Sequence, residues 1–88
     1  MAEPIFLPAF LRRLRDVEKA VSKIELELLE QTLASIVADP YLPERFATFY
    51  DPNFPTFFLR SGPFMIEFAV DEDNDVVTFI SLFRRANP

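Results

Sequence analysis

The chain has 88 residues, room for one domain spanning 1–88, and 50% of them are hydrophobic, so it has enough apolar material for a core and is not a disordered chain. It contains no cysteine and no histidine, which excludes a disulfide framework, a zinc site of the usual ligands and any nucleophile system built on Cys and His. The formal net charge of −5 argues against strong binding of free nucleic acid, because phosphate contacts dominate that affinity.

The sequence shows no membrane-spanning segment and no secretory signal. No apolar run approaches the roughly 18–20 residues that cross a bilayer. The start of the chain lacks a basic region leading into an apolar one. We therefore expect a cytoplasmic protein that contacts no membrane and needs no cofactor.

The first half of the chain predicts a short strand followed by two helices. Pro4 and Pro8 bracket an apolar piece of about three residues, which suits only an edge strand. From 9 to 38 apolar residues recur at steps of three and four, the period of an amphipathic helix. Asp16 is a candidate N-cap and predicts a break there, hence a helical hairpin; one long helix is the alternative. Pro40 predicts the end of the helical region.

The connection over residues 39–55 is rich in proline. A structureless loop of that length is uncommon in a small domain. We expect a short helix over 43–49, with Phe46, Phe49 and Tyr50 turned towards the core.

The last third of the chain predicts three antiparallel strands in a meander, which makes the fold class α+β. Gly62-Pro63 and the acidic stretch 71–75 are turn signals between segments rich in β-branched and aromatic residues. The period of two places Phe64, Ile66, Phe68 and Val70 on the core face.

The last strand alternates large apolar residues on both of its faces. We expect Phe79 and Phe83 to form an apolar ridge on the face that the helices leave open. A segment of a partner protein or a second copy of the chain would then cover this ridge. The alternative cover is the proline-rich connection, through Phe54 and Phe57.

Two clusters of charge have ordinary explanations. The basic residues from Arg12 to Lys23 are interleaved with acids, as on a solvated helix face. Asp71, Asp73 and Asp75 have the spacing that opens an EF-hand loop, but the glycine at the sixth position and the glutamate at the twelfth are missing. We expect no metal site.

Nearly the whole chain resembles the RelE/ParE toxin superfamily, the plasmid-stabilisation type of toxin. The segment 5–14 is similar to the family's opening strand, proline and basic helix. The segment Phe58-Leu-Arg60-Ser-Gly62-Pro-Phe64-Met65 resembles its central motif of arginine, glycine, aromatic residue and second arginine. The segments 68–72 and 76–84 resemble the strand, acidic turn and final strand that ends in a His-Arg pair.

The resemblance implies a toxin-like component of a type II toxin–antitoxin system that acts by protein binding and is neutralised by a cognate antitoxin. Met65, Ala69, Phe79 and Phe83 are the expected partner-binding residues. A homodimer is a further possibility, and the family resemblance suggests the ribosome or gyrase as targets.

The resemblance also implies two alternatives. One is a ribosome-dependent mRNA endoribonuclease with Arg60, Arg84 and Arg85 as its catalytic residues. Against it, Met65 replaces the second motif arginine, and Phe83 replaces the histidine. The other alternative is a non-toxic interaction module that kept the fold.

Overall fold

The computed structural model describes residues 2–41, 45–47 and 56–84. Its elements in chain order are β1 (Glu3–Phe6), α1 (Pro8–Ala20), α2 (Lys23–Ala38), β2 (Phe46–Ala47), β3 (Thr56–Ser61), β4 (Phe64–Asp71) and β5 (Val76–Arg84). The predicted α+β class, the short first strand, the two helices and the three-stranded meander are confirmed.

The break between the helices lies at Val21–Ser22, so the prediction of a break at Asp16 is wrong. Asp16 lies inside α1. Ser22 is the N-cap of α2, and its hydroxyl accepts a hydrogen bond from the backbone N–H of Glu25 at 3.2 Å. Ser22 and Glu25 have the spacing of a capping box, which marks a helix start more strongly than a lone aspartate. Pro8 begins α1 and α2 ends at Ala38, as expected.

The sheet has the strand order β1-β5-β4-β3-β2. The pairs from β2 to β5 are antiparallel, as predicted for the meander, whereas β1 pairs with β5 in parallel, so the sheet is mixed. Residues 46–47 extend the sheet beside β3, which corrects the short helix expected over 43–49 at these two positions. Phe49, Tyr50 and Phe54 lie outside the described residues.

Both helices pack on one face of the sheet. On β4, Phe64, Ile66, Phe68 and Val70 are buried, as the alternation predicted. Phe10 on α1 packs against Phe79 on β5 with 5.5 Å between ring centroids, so α1 lies over that strand. The core also contains, among others, Val17, Leu29, Ile36, Phe57, Leu59, Val77 and Leu82.

The turn between β3 and β4 needs its glycine. Gly62 has φ +57°, a conformation that L side chains rarely adopt. A Cβ there would also lie 3.2 Å from the Cδ2 atom of Leu28 on α2. Next to it, the hydroxyl of buried Ser61 donates to the Thr32 hydroxyl at 2.9 Å. This turn is therefore held against α2.

A β-bulge in β5 overturns the predicted ridge. Glu67 pairs with Ser81 and Phe68 pairs with Phe79, so Ile80 is an extra residue in β5. An extra residue reverses the alternation beyond it. Phe79 therefore lies in the core with 0% exposure, and its ring stacks on that of Phe6 with 4.9 Å between the ring centroids. Phe83, by contrast, is 40% exposed. Phe79 cannot bind a partner as a surface residue.

Candidate functional site

The face of the sheet turned away from the helices carries an exposed aromatic group. Met65 pairs with Phe83 across β4 and β5, and Phe58 on β3 meets the ring of Phe83 edge to face at 6.0 Å. We call Phe58, Met65 and Phe83 the outer-face cluster. Phe58 and Met65 are half-buried. An aromatic pair that remains on an open sheet face is typical of a protein contact surface.

The rest of this face has a charged residue in its middle as well as at its ends. Glu67 on β4 is half-buried and pairs with Phe58 on one side and Ser81 on the other. Ala69 pairs with Thr78, and Ile5 on β1 is 45% exposed opposite Thr78. Arg60 pairs with Met65 at one end. Asp71 lies at the other end, where Asn74 donates to it through its side-chain amide at 2.8 Å and through its backbone N–H, and these bonds hold the pKa of Asp71 below its usual value.

The arginines expected to form one basic site lie at the same end of the sheet but on opposite faces. Arg60 pairs with Met65 on the outer face, whereas Arg84 pairs with the core residue Phe64. The Arg84 guanidinium lies over the Phe64 ring, 5.9 Å from its centroid. Arg85 lies outside the described residues. The structure therefore does not bring Arg60 and Arg84 together on one face.

Sequence reasoning missed a cleft between α1 and the end of the sheet, which we call the sheet-end cleft. Its volume is about 150 Å³. The buried Val17 and Phe64 form its apolar floor, the exposed Arg13, Asp16 and Arg84 form its polar rim, and Ala20 and Val21 also line it. The steps of three and four between residues 13, 16, 17 and 20 are the available sequence signal, since they place these residues on one stripe of α1.

A third cluster ties the segment after α2 to the acidic turn between β4 and β5. The Tyr41 hydroxyl donates to the Glu72 carboxylate, and the Arg45 guanidinium lies 5.3 Å from the Tyr41 ring centroid and 5.1 Å from that of Phe57. Burial of the hydroxyl, followed by its hydrogen bond to Glu72, raises the pKa of Tyr41 from 10.0 to about 12.

Within residues 2–41, 45–47 and 56–84, no three His, Cys, Asp or Glu side chains are grouped so that they could hold a metal ion. No helix in this part of the chain is long and apolar enough to cross a membrane.

Comparison with known proteins gives matches among solved structures alone. No family model matches, and no curated protein matches. RelE in the RelE–RelB complex of Pyrococcus horikoshii superposes with a TM-score of 0.80 at 11% identity, covering 99% of this chain and 98% of that one. The chain has the RelE fold.

Two Escherichia coli structures agree with this assignment. The isolated RelE toxin has a TM-score of 0.74 at 18% identity and covers all of this chain and 88% of that one. The intact RelBE toxin–antitoxin complex gives 0.71 at 18% identity, with 99% and 100% coverage. The predicted resemblance to the RelE/ParE superfamily is thus confirmed at the level of the fold.

On the RelE fold, the two departures from the family motifs become neighbours. Met65 stands where the resemblance implies an arginine, and Phe83 stands where it implies a histidine. The two residues pair directly across β4 and β5 on the outer face. A position expected to be basic is therefore apolar, and it lies inside the outer-face cluster.

Proposed function

We propose that this chain is the toxin-like component of a type II toxin–antitoxin system, acts by binding protein and is neutralised by a cognate antitoxin. The support is a RelE fold that extends over the whole chain. One neighbour is described as a toxin on its own, and two are complexes of RelE with RelB. We extend that pairing to this chain as a proposal.

The apolar pair of Met65 and Phe83 is the observation that favours protein binding over RNA cleavage. Phosphate binding needs basic groups, and this pair offers none. Large side chains that become desolvated at the centre of an interface supply most of its affinity. We assign the antitoxin contact to Met65, Ala69 and Phe83, with Phe58 beside them.

The ribonuclease alternative has less support. It needs Arg60 and Arg84 to act on one substrate, yet they lie on opposite faces of the sheet. The net charge of −5 opposes RNA binding as well. Under the proposed function, the ribosome, gyrase or a second copy of the chain would compete with the antitoxin for this surface.

Co-expression with the product of the neighbouring reading frame tests the proposal. The chain alone should arrest growth of a bacterial host, and the second protein should bind it and restore growth. The 5′ ends of cellular mRNA, mapped after induction, should show no new ribosome-dependent cleavage. If neither neighbouring product binds and growth is unaffected, the toxin–antitoxin proposal is wrong.

The same assay separates the ribonuclease alternative. Cleavage that is abolished by Arg60→Ala or Arg84→Ala, and retained by the control Arg12→Ala on α1, would establish an enzyme. Arg12 carries the same charge, is exposed and lies outside both the outer-face cluster and the sheet-end cleft.

A further inference from the structure

The sheet-end cleft combines an apolar floor with two positively charged side chains. Val17 and Phe64, which are almost fully buried, close its base. Arg13 makes no ion pair with any residue of 2–41, 45–47 and 56–84, and Arg84 contacts the Phe64 ring but no carboxylate in that part of the chain. Two guanidinium groups thus line one cleft with no carboxylate partner among the described residues, in a protein with a net charge of −5.

The dimensions of the cleft define what it accepts. A volume of about 150 Å³ accommodates one benzene-sized apolar group. Arginine binds carboxylates through two parallel hydrogen bonds, and here one guanidinium stands on the helix side and one on the strand side. The matching ligand carries one apolar side chain with a carboxylate next to it.

We infer that the sheet-end cleft is a binding site for an acidic, apolar peptide segment. The segment inserts one Leu- or Phe-sized side chain between α1 and the start of β4, and an adjacent carboxylate binds Arg13 and Arg84. This site lies on the helix side of the sheet and is separate from the outer-face cluster. If the proposed function holds, the antitoxin supplies the segment.

A nucleic-acid ligand fits the cleft less well. Asp16 on the rim repels phosphate and carboxylate alike, so the apolar floor, and not the charge of the rim, separates the two ligands. The apolar floor would remain unused by a phosphate–sugar backbone, since such contacts are made by polar and charged groups. For a peptide, Asp16 accepts a hydrogen bond from a backbone N–H at that side.

Titration of the ¹⁵N-labelled chain with short peptides tests the site without the antitoxin. The probes are acetylated and amidated tetrapeptides, Glu-Leu-Phe-Glu and its control Lys-Leu-Phe-Lys, with a short oligoadenylate as the nucleic-acid probe. We expect the acidic peptide to bind with a dissociation constant of about 1 mM or tighter, as a contact of this size supports. Amide shifts should concentrate at Arg13, Val17, Ala20, Phe64 and Arg84.

Matched substitutions on α1 make the test specific. Arg13→Glu should lower the affinity for the acidic peptide by about tenfold. Arg12→Glu makes the same charge change outside the cleft and should change that affinity by about twofold or less. Ala20→Trp should fill the cleft and abolish binding, while the control Lys19→Trp should not. Ala20 and Lys19 are both exposed, so neither substitution disturbs the core.

The outcomes separate this inference from the proposed function. Suppose that the antitoxin binds the wild type, that the acidic peptide does not bind, and that Arg13→Glu leaves the affinity for the antitoxin unchanged. The inference is then overturned and the proposed function stands. If the acidic peptide binds as described and no antitoxin is found, the proposed function fails and the site stands. Equal shifts with the basic peptide, or preference for the oligoadenylate, would also overturn the inference.

Discussion

Tyr41 couples the stability of the fold to pH. Its raised pKa means that between pH 10.0 and about 12 the folded chain keeps the hydroxyl proton that the unfolded chain has lost. The stabilisation is fully present below pH 10.0 and is lost as the pH rises through about 12. Its physical source is burial of the hydroxyl together with the bond to Glu72.

We expect Tyr41→Phe to flatten this alkaline loss of stability. The measurement is urea unfolding at about pH 9 and about pH 11, on either side of the normal tyrosine pKa. Tyr50, the other tyrosine of the chain, is replaced by Phe in both proteins to remove its own titration. Parallel stability curves for the two proteins would contradict the raised pKa of Tyr41.

Phe68 shows how much of the core a single strand pattern can predict. It is fully buried, with its ring 5.8 Å from that of Phe57 and 6.4 Å from that of Phe79. Phe68→Ala should lower the free energy of unfolding by about 3–5 kcal/mol, the range for a deleted core phenylalanine. Phe83→Ala removes the same atoms from an exposed position and serves as the control. A loss below about 1 kcal/mol for Phe68→Ala would place this residue outside the core.

At the scale of elements, the start of α2 depends on Ser22. Ser22→Ala removes the acceptor for the Glu25 N–H and should cost about 1 kcal/mol in denaturant unfolding. Asp16→Ala is the control, because Asp16 lies within α1 and has no capping role. If Asp16→Ala were the more costly substitution, the second helix would begin at Asp16 and not at Ser22.

The two long strands differ in how well their sequences predict them. β4 keeps a strict period of two, so its buried residues were predicted correctly from the sequence. β5 contains the bulge at Ile80, and nothing in a run of apolar residues on both faces marks which one is extra. Tertiary packing fixes the position of the bulge, because the extra residue at Ile80 lets Phe79 stack on Phe6 while Leu82 also faces the core.

At the scale of the whole molecule, local order was predictable and long-range pairing was not. The succession of strand, helices and meander follows from periodicity and turn residues along the chain, and it carried the family resemblance. The parallel pairing of β1 with β5 depends on how the ends of the chain meet. The sheet-end cleft likewise joins α1 to Phe64 and Arg84, which are distant in sequence, so no local pattern could predict it.

Association of the whole molecule should depend on Phe83. Its ring is 40% exposed and contacts Phe58, so a partner gains by covering both aromatic rings. Phe83→Asp should weaken antitoxin binding by about 2 kcal/mol or more, as for an interface hot spot, measured by calorimetry. The monomer should stay folded, since the substitution removes only a surface contact worth about 1 kcal/mol.

Two matched substitutions determine how the result is read. Ile24→Asp makes the same kind of change at a residue that is 79% exposed on α2, and it should leave binding unaltered. Phe79→Asp introduces a carboxylate at a fully buried position and should unfold the chain, because an isolated buried charge has no compensating partner. If Phe83→Asp unfolded the chain as Phe79→Asp does, Phe83 would be a core residue. If it bound the antitoxin as well as Ile24→Asp does, the outer face would not be the interface.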